Sequence, residues 1–164
     1  MTKKLTIEKQ DDAHCVATSM PLILGMFRTS VPHESVALQI ALQKKAIASG
    51  SYSRLGCLNV IETGCAAMPP ATREIISEWS KQPDFGKVLT ANVIEEEGIK
   101  GVMLRAVLRT IGLAIPRESR AMIFSTVPEA IRWLIAEMPP DNLMSFEDIS
   151  DAITHLRRSG SRRL

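Results

Sequence analysis

The sequence predicts a layered α/β domain, and three observations carry that expectation. Short apolar segments rich in β-branched residues alternate along the chain with longer segments of helical period. Capping signals stand where those helical segments begin, and Gly or Pro stands where they end. At 164 residues, with 45% hydrophobic and 23% charged residues, the chain has the length and balance of one domain that buries a core without disulfides or metal.

Residues 5–8 alternate and read as a short strand, Asp11-Asp12 supplies a turn, and 14–20 (HCVATSM) reads as a strand apolar on both faces. The two form an N-terminal hairpin. Ser30 and Pro32 open a helix, with Ser30 as cap and Pro32 in the first turn. Val36, Ile40 and Ile47 follow its spacing, and Gly50 stops it. LGCLNVI at 55–61 is a buried strand. Pro69-Pro70 lead into a helix over 71–80 with Ile75, Ile76 and Trp79 as its apolar stripe.

Residues 87–95 read as the next strand. A helix over 99–115 follows, with Met103, Val107, Ile111 and Ala114 on one face taken as the core side. Residues 121–124 form a short strand. Thr126 and Glu129 make a capping box for the helix that follows, whose Ile131, Leu134, Ile135 and Met138 face the core before Pro139-Pro140. Residues 145–156 are amphipathic through Phe146, Ile149, Ile153 and Leu156. An Arg-rich tail then follows, for which no fixed structure is expected. The order is β-β-α-β-α-β-α-β-α plus one helix, with a domain at 1–140 and an appended helix and basic tail at 141–164.

The net charge of +2 is unevenly placed. Residues 157–164 hold four Arg and no acid, which leaves the rest of the chain at −2. Attraction to nucleic acid or anionic lipid is therefore confined to the tail. With no aromatic residue there, no specific nucleic-acid recognition is expected. No apolar run approaches the roughly 20 residues of a membrane span. Three cysteines, with no readable signal peptide and no CxxC, fit reduced thiols in a cytoplasm. His14 and Cys15 are strand neighbours that point to opposite faces and cannot act as a nucleophile–base pair. No nucleophile, phosphate loop, paired carboxylates or metal cluster stands out, so no enzyme, cofactor or metal is expected.

Three stretches carry a family resemblance: 55–62 (LGCLNVIE), 98–113 (GIKGVMLRAVLRTIGL) and 122–134 (MIFSTVPEAIRWL). They resemble the central strand, the penultimate helix with its turn, and the last strand and helix of the STAS family. That family has the SpoIIAA-like fold of bacterial anti-sigma-factor antagonists. Over about 5–138 the resemblance implies a SpoIIAA-like mixed sheet of about five strands. It also implies a non-enzymatic regulatory module that binds a protein partner. In signalling members, a serine in an Asp-Ser-Ser-Gly-like loop after the central strand is phosphorylated at a helix N-terminus, where free N–H groups favour negative charge. Here that loop is 63–70 (TGCAAMPP), with no serine and two prolines that remove N–H donors. The departure argues that the usual switch is lost.

The expected partner face is the loop and helix at 63–73, with Thr63, Gly64, Met68 and Thr72. Thr72 is the nearest downstream hydroxyl, and it reads either as a phospho-acceptor or as an ordinary first-turn residue. Arg105, Arg109, Arg117 and Arg120 read either as an anion patch or as a solvated helix face. The alternative to a protein-binding module is a carrier of a small apolar ligand or lipid, with a pocket between the sheet and the 99–115 helix. The 145–156 helix either covers the domain or bridges to a second copy as a homodimer.

Overall fold

Continuous apolar runs at 22–27, 55–61 and 88–94 occupy the centre of one sheet, as strands covered on both faces must. The computed structural model describes residues 4–113, 121–140 and 144–160. Its strands are β1 (Thr6–Gln10), β2 (His14–Ser19), β3 (Leu22–Phe27), β4 (Leu55–Ile61), β5 (Val88–Ile94) and β6 (Ala121–Phe124), and they lie side by side in sequence order. The first three pair antiparallel, and β3 through β6 pair parallel. The helices are α1 (His33–Ala48), α2 (Pro70–Ser80), α3 (Gly98–Leu113), α4 (Val127–Glu137) and α5 (Phe146–Gly160), with a 3-10 helix at Pro83–Lys87.

The α/β class holds, but the sheet has six strands rather than about five. The added strand is β3. The segment LILGMF follows β2 after only Met20 and Pro21, so the chain reverses and Ser19 pairs with Leu22. A run this apolar, bounded by a turn, is a fully buried strand. Each crossover from β3 onward carries a helix, as parallel pairing requires.

The helix ends follow local chemistry with small corrections. Pro32 is the N-cap of α1 rather than a first-turn residue, and Ser30 does not cap it. Gly50, with φ of 66°, ends α1 as expected. The Thr126 hydroxyl accepts from the Glu129 N–H at 3.4 Å, and the Ser145 hydroxyl from the Asp148 N–H at 3.0 Å. The core face of α3 is reversed from the expectation. Met103 is 64% exposed, while Leu104 is buried and Leu108 packs on the core. This helix has apolar arcs on both sides, so its period alone does not choose between them. Gly101 lies on the buried side, where a Cβ would stand 2.0 Å from the Glu96 carbonyl oxygen in the segment that leads into the helix.

Two cores result, one on each side of the sheet. On one side α4 and α5 cover Leu24, Leu58, Val60, Leu89 and Val93. On the other, α1, α2, the 3-10 helix and α3 cover Phe27, Cys57, Ile61, Val88 and Ile94. The apolar stripe of α5 (Ile149, Ala152, Ile153, Leu156) is buried on this chain's own sheet. That stripe was the ground for a dimer seam, and the sheet already covers it. The helix also continues to Gly160, so the start of the basic segment is helical. Arg157 pairs with Glu95 and, at 3.6 Å, with Glu62, while Arg28 donates to the Leu156 carbonyl at 2.8 Å. These bonds tie the end of α5 to the C-terminal ends of β3, β4 and β5. No helix among the described residues is long and apolar enough to cross a membrane.

Because Leu156 is wholly buried in this seam, Leu156→Ala is expected to lower the unfolding free energy by about 2–5 kcal/mol, read from urea denaturation. A loss below about 0.5 kcal/mol would mean that α5 does not belong to the folded core.

Candidate functional site

Strand periodicity sends Gly25, Asn59 and Asn92 to the same side of the sheet, toward α1, α2 and α3. Register then aligns them, with Gly25 opposite Asn59 and Asn59 opposite Asn92. The two asparagines therefore lie side by side in the middle of otherwise apolar strands. The Asn59 amide nitrogen donates to the Asn92 side-chain oxygen at 3.0 Å. From α1, the Gln39 amide nitrogen donates to the Asn59 oxygen at 2.8 Å. The result is a chain of three amides running from helix to sheet.

Gly25 makes room for it. A Cβ at Gly25 would sit 2.4 Å from the Gln39 nitrogen and 2.6 Å from the Asn59 oxygen. One turn along α1, the Gln43 oxygen accepts from the Trp79 indole N–H at 2.7 Å. Trp79 meets Phe85 edge to face, with ring centroids 6.1 Å apart. Gln39 and Gln43 are both buried. A buried amide without partners costs about 1–3 kcal/mol, so this internal pairing is what lets the face hold so many polar groups.

The amides do not fill their surroundings. Above them lies an open-mouthed cavity of about 540 Å³. Its floor is Cys57, Asn59, Thr90 and Asn92, one wall is Val36, Gln39, Ile40 and Gln43 of α1, and a second is Ile76, Trp79 and Phe85. Leu108 and Arg109 of α3 and Ile123 of β6 close the far side. The volume lies within the ~300–1,000 Å³ common for small-molecule sites, as does the mix of apolar walls with a few convergent polar groups. The opposite face of the sheet differs, since the space beside Leu22, Leu134 and Met138 is only about 20 Å³.

The thiols near this site are protonated. Burial pushes Cys57 up to about 12, and burial together with Glu62 and Glu96 pushes Cys65 up to about 11. All three cysteines are buried and free. Among the described residues no cluster of His, Cys, Asp or Glu has the makings of a metal site. Among the described residues the cavity lining contains no carboxylate and no imidazole.

The residues expected to form a partner face are separated. Thr63 is exposed and donates to the Glu95 carbonyl at 3.2 Å, and the Gly64 N–H donates to a Glu96 carboxylate oxygen at 2.6 Å. Met68 turns inward and lines the cavity. Thr72 is fully buried, and its hydroxyl donates to the Val31 carbonyl at 2.9 Å. There it joins α2 to the segment before α1 and offers no oxygen to a kinase. The expected arginine patch is not assembled among the described residues. Arg105 turns back to the carbonyls of Ile94 and Glu96, at 3.2 Å each, and Arg109 reaches the cavity mouth. Arg117 and Arg120 lie outside the described residues.

Gly25, Gln39, Gln43, Asn59 and Asn92 were missed from sequence, though a signal was present. The tripeptide Asn-Val-Ile occurs in both central strands, at 59–61 and 92–94. Gln39 and Gln43 are four residues apart, in phase with Val36 and Ile40. No family model, curated protein or solved structure matches the chain.

Gly25→Ala is expected to break the Gln39–Asn59 bond and lower stability by about 1–3 kcal/mol in urea denaturation. Asn92→Ala, which leaves the crowded end of the row intact, should cost less. The thiols make a separate prediction. The unfolded chain ionises near the ordinary thiol value of 9.0, while the folded chain holds Cys57 neutral to about 12 and Cys65 to about 11. Their stabilising contribution is therefore complete below pH 9 and is lost as pH rises toward 11–12. The fall of the urea midpoint above pH 9 should be shallower in Cys57→Ala than in the parent chain. Equal slopes would show that Cys57 ionises alike in both states.

Proposed function

We propose that this chain is a non-catalytic binding module that takes a small amphipathic molecule into the cavity between the sheet and α1, α2 and α3. The observation that carries this reading is the cavity itself, about 540 Å³ with apolar walls and a floor of paired amides. An apolar body would lie against Ile40, Ile76, Trp79 and Phe85. A polar head would complete the free valences of the amides. The neutral Cys57 thiol and the apolar and amide side chains that line the cavity among the described residues support binding rather than acid–base or nucleophilic chemistry.

A STAS-like regulatory module that binds a protein partner is the second reading. One observation favours it, in a place other than the 63–73 face. The outer side of α3 leaves Ile99, Val102 and Met103 81%, 63% and 64% exposed, on one face of the helix. The two readings are compatible, since Arg109 at the end of the same helix lines the cavity and a bound molecule would touch the element that carries this face.

A panel of small amphiphiles, screened by thermal shift, tests the cavity. A ligand at a hundred times its Kd adds about 2.7 kcal/mol, which is roughly 5–10 °C in a chain of this size. Ile76→Trp, which fills the space from α2, should remove that shift. The proposal fails if no amphiphile raises Tm, or if the shift survives in Ile76→Trp.

A further inference from the structure

The cavity offers unused N–H donors at its α3 end. In the amide row, the oxygens of Asn59 and Asn92 each accept a bond from the preceding amide, at 2.8 and 3.0 Å. The row therefore runs in one direction. Among the described residues, its last nitrogen, that of Asn92, donates to no protein acceptor. Asn92 stands opposite Ile123 of the edge strand β6, on the side of the cavity that α3 closes. There Arg109 also lines the cavity, and its guanidinium carries a fork of N–H donors. A wall of the same cavity offers the rings of Trp79 and Phe85.

From this polarity we infer that the ligand carries a single carboxylate, held between the Asn92 amide nitrogen and the Arg109 guanidinium, with its apolar body directed toward Trp79 and Phe85. The inference rests on the cavity reading above and specifies the head group. A carboxylate only accepts hydrogen bonds, and its geometry matches a guanidinium fork. An ammonium head would set a positive charge beside the Arg109 guanidinium. Because Arg109 is exposed, the carboxylate would sit at the mouth, partly hydrated, while the apolar body supplies most of the burial.

Three probes with the same alkyl body and different heads test this: octanoate, octanol and octanamide, each titrated calorimetrically into the full chain. Octanoate is expected to bind about tenfold more tightly than the other two or better, the size of one charge-assisted hydrogen bond. In Arg109→Gln and in Asn92→Leu the ratio of octanoate to octanol affinity should fall about tenfold. Octanol binding as tightly as octanoate, or a ratio unchanged in both variants, would overturn the head-group assignment and leave the cavity reading standing. The same holds if none of the three binds while another, neutral amphiphile gives a shift that Ile76→Trp removes. If no amphiphile binds at all, both readings fall together.

Discussion

A row of amides inside a sheet covered on both faces imposes a strict condition. Each polar group must find a partner where water is largely excluded, or the site costs more than the burial around it contributes. Here register and one missing side chain meet it for Gln39 and Asn59, while the Asn92 nitrogen at the end of the row faces the cavity. Pairing of β4 with β5 brings Asn59 beside Asn92, and pairing of β3 with β4 places Gly25 beside Asn59. The space left at Gly25 is where the Gln39 amide from α1 enters.

The cavity follows from that arrangement. The inward face of α1 carries Gln39 and Gln43 between its apolar residues, so there it meets β4 through the Gln39–Asn59 bond and α2 through the Gln43–Trp79 bond. Trp79, buried in the cavity wall, is held by its bond to Gln43. The other face obeys the opposite rule. Leu24, Leu58, Val60 and Val93 meet Ile131, Leu134, Ile153 and Leu156, and apolar surfaces of this kind interdigitate closely. The ion pairs of Arg157 with Glu62 and Glu95 then fix α5 at the C-terminal strand ends, so the tightly packed face backs the open one.

Much of the fold was legible in local chemistry. The capping box at Thr126, the stop at Gly50 and the central strands LGCLNVI and VLTANVI are written in spacing and residue type, and the structure keeps them. The strand β3 is not marked by alternation, because it is a short run apolar on both faces, and only two residues of turn separate it from β2. The core side of α3 was misassigned because both sides of that helix are apolar, and the side with Gly101 and Leu104 is the buried one. Thr72 looked available because sequence shows a hydroxyl at a helix start but not the Val31 carbonyl lying 41 positions earlier.

The sequence by itself determined the alternation of strands and helices, where most helices begin and end, and the absence of any long apolar span in the chain as given. These depend on interactions within a few residues. Tertiary structure alone decided that Gly25, Gln39, Asn59 and Asn92 meet, that Met68 and Thr72 turn inward, and that α5 belongs to the core. The reason is physical. A parallel register joins residues 33 positions apart, as Asn59 and Asn92 are, and what an amide does depends on the group across that gap rather than on its neighbours in the chain.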